Sequence, residues 1–162
     1  LLKDNSCEGL EIPVSKLANI FTLEDRQHAI LDLEDILLSE IDNILDMKKV
    51  PVLYTTREEM KFSSYSQRMN FGLELAEFMA ILVRKITSKL GYIISKGGIT
   101  TQLLLQKALN CKQVDLKGQI LPGLSIVTSN SDQYDLPVVT FPGNLGNEKT
   151  LLELFRLMES NS

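Results

Sequence analysis

Lys96-Gly97-Gly98-Ile99-Thr100-Thr101 is the stretch of this sequence whose residue types and spacing best suit holding an anion. It follows the apolar run Tyr92-Ile93-Ile94 and precedes a helix-like run from Leu103 to Leu109. Paired glycines let the backbone turn tightly and come close to a ligand. The first N–H groups of a helix have no acceptor within it, and the helix dipole favours negative charge there. Thr100 or Thr101 can cap that helix, and either hydroxyl can reach a phosphate oxygen. Alone, the pattern also describes a plain glycine turn closed by a threonine cap. Two later glycine turns add weight to it: Gly118-Gln119-Ile120-Leu121-Pro122-Gly123, and Pro142-Gly143-Asn144-Leu145-Gly146.

Other chemistry is sparse. The sequence has neither a G-x-x-x-x-G-K-[ST] loop nor a G-x-G-x-x-G fingerprint. No Ser-His-Asp order or metal-ligand spacing is visible, so no catalytic residue and no metal ligand is assigned. His28 sits on a long helix candidate away from every glycine turn and reads as a bystander, although histidine often serves as a base. Glu24, Asp25, Asp32, Glu34 and Asp35 read as a solvated helix face. What remains is phosphate-holding chemistry without a nucleophile or base, as expected of the nucleotide half of a two-domain enzyme.

The elements that must position these residues alternate between two periods. Leu10 to Val14 reads as a short edge strand that tolerates Pro13. From about Thr22 to Lys49, Ile30, Leu33, Leu37, Ile41, Ile44 and Leu45 recur at helical spacing, with Thr22 and Asp25 resembling a capping box. Val50 to Thr56 reads as a buried strand of a mostly parallel sheet. A Ser-rich turn leads to a long helix from about Ser66 to Leu90, which Gly91 stops. A strand over Tyr92 to Ser95, a helix over Thr101 to Asn110, strands over Gln113 to Ile120, Leu124 to Thr128 and Leu136 to Phe141, and a helix over Glu148 to Glu159 complete the chain. The polar stretch Ser129 to Gln133 reads as a turn. This alternation predicts an α/β fold: a layered, mostly parallel sheet flanked by helices, in a single domain over residues 1–162. In such sheets ligands gather beyond the carboxyl ends of the strands. Three strand ends, Thr55-Thr56-Arg57, Lys96-Gly97-Gly98 and Gly143-Asn144-Leu145-Gly146, would converge on one crevice if their strands are parallel neighbours.

Composition narrows the partners. The chain has 162 residues and a formal net charge of −4. That balance argues against a general nucleic-acid surface. No apolar run approaches the roughly 18 residues of a membrane span. Cys7 and Cys111 are far apart and suit a reducing, cytoplasmic compartment. There is no signal peptide, and the start at Leu1-Leu2-Lys3 suggests a fragment of something longer.

Lys96-Gly97-Gly98-Ile99-Thr100, Gly118 to Gly123 and Phe141 to Gly146 together resemble the successive motifs of the four-carbon acid sugar kinases, in their C-terminal nucleotide-binding domain. Val52-Leu53-Tyr54-Thr55-Thr56-Arg57 is similar to that domain's tyrosine-threonine-serine-arginine strand end, with Thr56 in place of the serine. The resemblance covers roughly Pro51 to Met158. It implies a kinase that transfers the ATP γ-phosphoryl group, with Mg²⁺, to a hydroxyl of a four-carbon sugar acid such as a threonate, an erythronate or a 3-oxo-tetronate. ATP binding carries over to Gly97, Gly98, Ile99, Thr100 and Gly143, with Asn144 and Gly146 beside them. Lys96, Thr101, Arg57 and Gly123 are candidates for a phosphate or interdomain contact. The substrate pocket and catalytic aspartate belong to the family's N-terminal domain, which this chain lacks, so the fragment alone is expected to be inactive. Phe141-Pro142 stand where some relatives have lysine-serine. Expected partners are ATP or ADP, the sugar acid through the missing domain, and a homodimer partner. Two other readings are a non-catalytic interaction module that keeps the nucleotide-binding fold, and a binding domain for another phosphorylated metabolite.

Overall fold

The computed structural model describes residues 1–56, 60–129, 136–147 and 149–160. The chain divides into two compact units, Leu1–Leu75 and Ala76–Ser162.

The first unit opens with β1 (Cys7–Ile12), α1 (Val14–Phe21), α2 (Gln27–Asp46) and β2 (Val50–Thr55). β1 and β2 pair in parallel, Cys7 against Val50 through Ile12 against Thr55. Pro13 stands at the N-cap of α1, where its missing N–H costs nothing and its fixed φ suits a helix start. Leu17 and Ile12 are fully buried, and Leu33, Leu37, Ile41 and Ile44 form the inward stripe of α2. Two expectations change here. The segment before α2 is a separate helix, and Thr22 ends it: its hydroxyl donates to the Asn19 carbonyl at 2.7 Å, so there is no Thr22 capping box. Glu34 is only 3% exposed, whereas Asp32 and Asp35 are exposed on α2 and Glu24 and Asp25 are exposed in the turn before it.

Helix α3 (Tyr65–Ile86) begins in the first unit and ends in the second. Its start is a serine cap. Ser64 Oγ accepts from the Gln67 N–H, and Gln67 Oε1 accepts from the Ser63 N–H. It stops before Gly91, tightening into a 3₁₀ turn over Thr87–Lys89.

The second unit holds a four-stranded sheet of β3 (Ile93–Lys96), β4 (Val114–Leu121), β5 (Leu124–Ser129) and β6 (Val138–Phe141), in the order β3-β6-β5-β4. The pair β3–β6 is parallel; β6–β5 and β5–β4 are antiparallel. The α/β class and helix-flanked layering are as expected, but the strands form two sheets, and two of the four pairings are parallel. The short Pro122-Gly123 turn can only return the chain antiparallel, which accounts for the β4–β5 pairing. Alternation along β6 sorts the core. Val138 faces a cluster with Val127, Leu104, Ala108 and Ala80; Val139 faces one with Leu124, Phe141, Leu154 and Met158. The first cluster draws on α3, on α4 (Gly98–Leu103) and on the π-helical stretch Leu104–Ala108 that continues it; the second draws on α5 (Thr150–Ser160). Among the described residues no helix is long and apolar enough to cross a membrane.

Candidate functional site

The parallel pairing of β3 with β6 sets Lys96 opposite Phe141, so the two strands finish side by side. The ladder runs one step further, because the Gly97 N–H donates to the Phe141 carbonyl at 2.8 Å. Gly97 then takes φ +109, a conformation that suits glycine, and becomes the N-cap of α4. A Cβ at Gly143 would lie 3.9 Å from the Gly97 Cα, so the two turns are in direct contact. The hairpin turn joins them: Gly123 has φ +78, and a Cβ there would fall 2.7 Å from a methyl of Leu145. Three bends far apart in sequence thus make one continuous rim.

The residues expected to bind ATP divide by what the geometry leaves open. The Gly97 N–H is already used in the ladder, so Gly97 contributes its shape. Gly98, Ile99 and Thr100 occupy the first turn of α4, where N–H groups have no helical acceptor; Thr101 N–H is the first to bond back, to Gly97 O at 2.9 Å. A Cβ at Gly98 would meet nothing within 4 Å, so the space in front of it is open. Neither threonine caps the helix, contrary to expectation. The buried Thr101 hydroxyl instead bonds Gly97 O at 2.7 Å and Ser95 Oγ at 2.9 Å, tying the turn to the strand. Gly143, Asn144 and Gly146 are exposed, and the Asn144 side chain makes no hydrogen bond among the described residues. Gly146 is tightly held: at φ +83, its Cβ would come within 2.9 Å of Thr150 and 3.1 Å of Phe141.

Lys96 is engaged with the turn beside it. Its ammonium donates to Pro142 O at 3.2 Å and Leu145 O at 3.3 Å, and stands 3.8 Å from the centre of the Phe141 ring. Carbonyls and a π face are what a cation seeks when no carboxylate is at hand. Lys96 therefore staples the last glycine turn onto β3. Asn147 was not among the expected residues, yet it organises the far side of that turn. Its Oδ1 accepts from the Lys149 and Thr150 N–H groups at 2.9 and 3.2 Å, and its own N–H donates to Thr150 Oγ1 at 2.9 Å. The legible signal is Asn-x-x-Thr before an apolar run, a variant of the capping box.

The Thr55-Thr56 end does not join this rim as a strand neighbour, because β2 belongs to the two-stranded sheet of the first unit. Arg57 lies outside the described residues. His28 is exposed, and among the described residues its ion-pair partner is Asp32, 3.6 Å away. Among the described residues no three His, Cys, Asp or Glu side chains gather closely enough to hold a metal.

A family model described as a nucleotide-binding C-terminal domain matches residues 2–151. Two crystal forms of a domain of unknown function (DUF1537) from Bordetella bronchiseptica, described as a domain-swapped dimer with bound citrate, superpose with TM-scores of 0.58 and 0.62 at 18% and 19% identity. They cover 94% of this chain, which spans 33% and 35% of theirs. Haemophilus influenzae protein HI1011, of the same DUF1537 family, gives a TM-score of 0.62 at 17% identity, over 88% of this chain and 32% of its own. The chain thus spans about a third of the length of the proteins whose fold it shares. No curated protein matches it. With the match running through nearly every element, from β1 to the start of α5, this chain belongs to the family of nucleotide-binding C-terminal domains.

Proposed function

We propose that this domain binds ATP within a kinase that phosphorylates a hydroxyl of a four-carbon sugar acid of the threonate, erythronate or 3-oxo-tetronate type. The observation that carries the ATP reading is the seating of Gly143 against Gly97, beside the uncommitted first-turn amides of Gly98, Ile99 and Thr100. Phosphoryl transfer asks mainly for positioning and charge stabilisation, which main-chain donors and a helix start supply. In this reading Gly98 to Thr100 hold phosphate oxygens from one side. Gly143, Asn144 and Gly146 close the rim from the other. Lys96 and Thr101 keep the two turns in register and take no part in ligand contact. Gly123 sets the third wall.

The described residues fit a nucleotide better than a protein-held metal. Mg²⁺ commonly keeps several waters and rests on the substrate phosphates with only one or two carboxylates. It would enter with ATP and neutralise phosphate charge. The sugar acid and the residues that activate its hydroxyl belong to the longer protein, whose relatives are about three times the length of this chain. The citrate in the Bordetella protein is a polycarboxylate, and its domain-swapped dimer supports a homodimer here. An ATP-dependent sugar-acid kinase would work in the cytoplasm.

The test is thermal. ADP or ATP at about a hundredfold excess over Kd raises the melting temperature by about 5 °C or more. Gly98→Val fills the open space before the helix without a steric clash, so the protein stays folded and the shift disappears. A folded wild-type chain whose melting temperature ignores both nucleotides would overturn the reading.

A further inference from the structure

The first unit contains a cavity of about 570 Å³ at the carboxyl end of β2, within the size range of small-ligand sites. Its lining includes the apolar side chains of Val14, Met60, Phe62 and Phe71. The Phe62 and Phe71 rings lie 5.4 Å apart, tilted by 39°, and present aromatic surface to the interior. Thr55, Thr56 and Arg68 line it as well. Thr56 Oγ1 is shut away from solvent and has no hydrogen-bond partner among the described residues. A buried hydroxyl without a partner is an exception that calls for an explanation. Arg68 makes no ion pair with a carboxylate among the described residues, and its guanidinium suits a carboxylate or phosphate held by two parallel hydrogen bonds.

We propose that this cavity binds a small organic anion with a planar apolar body: the body against Phe62 and Phe71, the anionic group between Thr56 and Arg68. The site lies wholly within the first unit, while the glycine rim lies in the second, so it does not depend on the nucleotide reading. Gly72 provides the decisive variant. It lines the cavity on α3, and a side chain added there would meet nothing within 4 Å. Leucine is also a far better helix former than glycine. Gly72→Leu therefore occupies the cavity while keeping or raising the melting temperature.

The experiment is ligand-observed saturation-transfer NMR on the 162-residue chain, with phenyl phosphate and benzoate as probes and phenol and inorganic phosphate as controls. At least one of the two probes binds about tenfold more tightly than either control, because body and anion must act together. Which probe wins tells phosphate from carboxylate as the natural anion. Thr56→Val and Arg68→Gln each weaken that probe about tenfold. Gly72→Leu abolishes the signal in a folded protein, and saturating ATP leaves it unchanged. Equal binding of probe and controls, or probe binding that survives Gly72→Leu, overturns the proposal. Because Gly98→Val is not expected to alter this signal, failure of the nucleotide reading and failure of this one are distinguishable.

Discussion

At the scale of single residues, what matters is which donors are already committed. Lys96 is the case in point. A lysine beside paired glycines invites a phosphate, yet its ammonium is bound to Pro142 O, Leu145 O and the Phe141 ring. Lys96→Met should cost about 1 kcal/mol in urea unfolding, since the group is partly solvated. It should weaken nucleotide binding only by loosening the turn. A larger loss of affinity than of stability would return the ammonium to the ligand. Two titrating groups set a pH limit. Glu11 accepts a hydrogen bond from the Tyr54 hydroxyl and repels its phenolate, holding the Tyr54 pKa above its ordinary value. Burial pushes the Cys111 thiol up as well, partly opposed by a hydrogen bond with Ser129. For both, the neutral form is favoured in the folded chain. The associated stability is therefore complete below the ordinary values of about 8.5 for cysteine and 10 for tyrosine, and is lost as pH rises through the folded ones. Melting temperatures should fall as pH rises above about 8.5, and less steeply in Tyr54→Phe. None of these commitments is legible in the sequence, because each depends on a partner brought by the fold.

At the scale of elements, reading the sequence went further. The 3.6-residue stripe of α2, the apolar run of β6 and the strand–glycine–helix order of β3 and α4 were visible in spacing alone. Ends were harder. Val14 to Phe21 carries only three inward residues, Val14, Leu17 and Ile20, too few turns for its period to stand out. The Pro13 just before it was the better clue. β4 and β5 were read as strands around a glycine turn, but their antiparallel pairing was not, because β4 is exposed along most of its length and lacks a clean alternation. Asn147 is the cap that fixes where α5 begins, and with it the far wall of the glycine rim. Asn147→Ala should destabilise the protein by about 1 kcal/mol in chemical denaturation. Asn147→Ser, which keeps an acceptor, should recover most of that loss.

At the scale of the whole molecule, the α/β class followed from the alternation of periods, and the family from motif order. The division into two sheets did not, because strand pairing is a choice between distant segments that local pattern does not encode. The candidate site was half legible. The glycine turns that meet within the second unit were identifiable, but their pairing through β3, β6 and the β4–β5 hairpin was not. Helix α5 joins the sheet through Leu154, which is fully buried beside Val139 and Phe141. Leu154→Ala should cost about 2–5 kcal/mol by leaving a cavity there. Because Phe141 also supports Lys96 and Gly146, the same variant should blunt the nucleotide-induced thermal shift.

The notch at Gly123 has a further meaning. The Leu145 side chain fills the volume that any side chain at 123 would need, and the positive φ there already disfavours one. Positions 123 and 145 should therefore drift together among homologous chains: a bulkier residue at the first tolerated only beside a smaller one at the second. Trimming Leu145 to alanine should relieve the collision in a Gly123→Ala protein while leaving its backbone strain in place, so the double variant should regain part, and only part, of the lost stability.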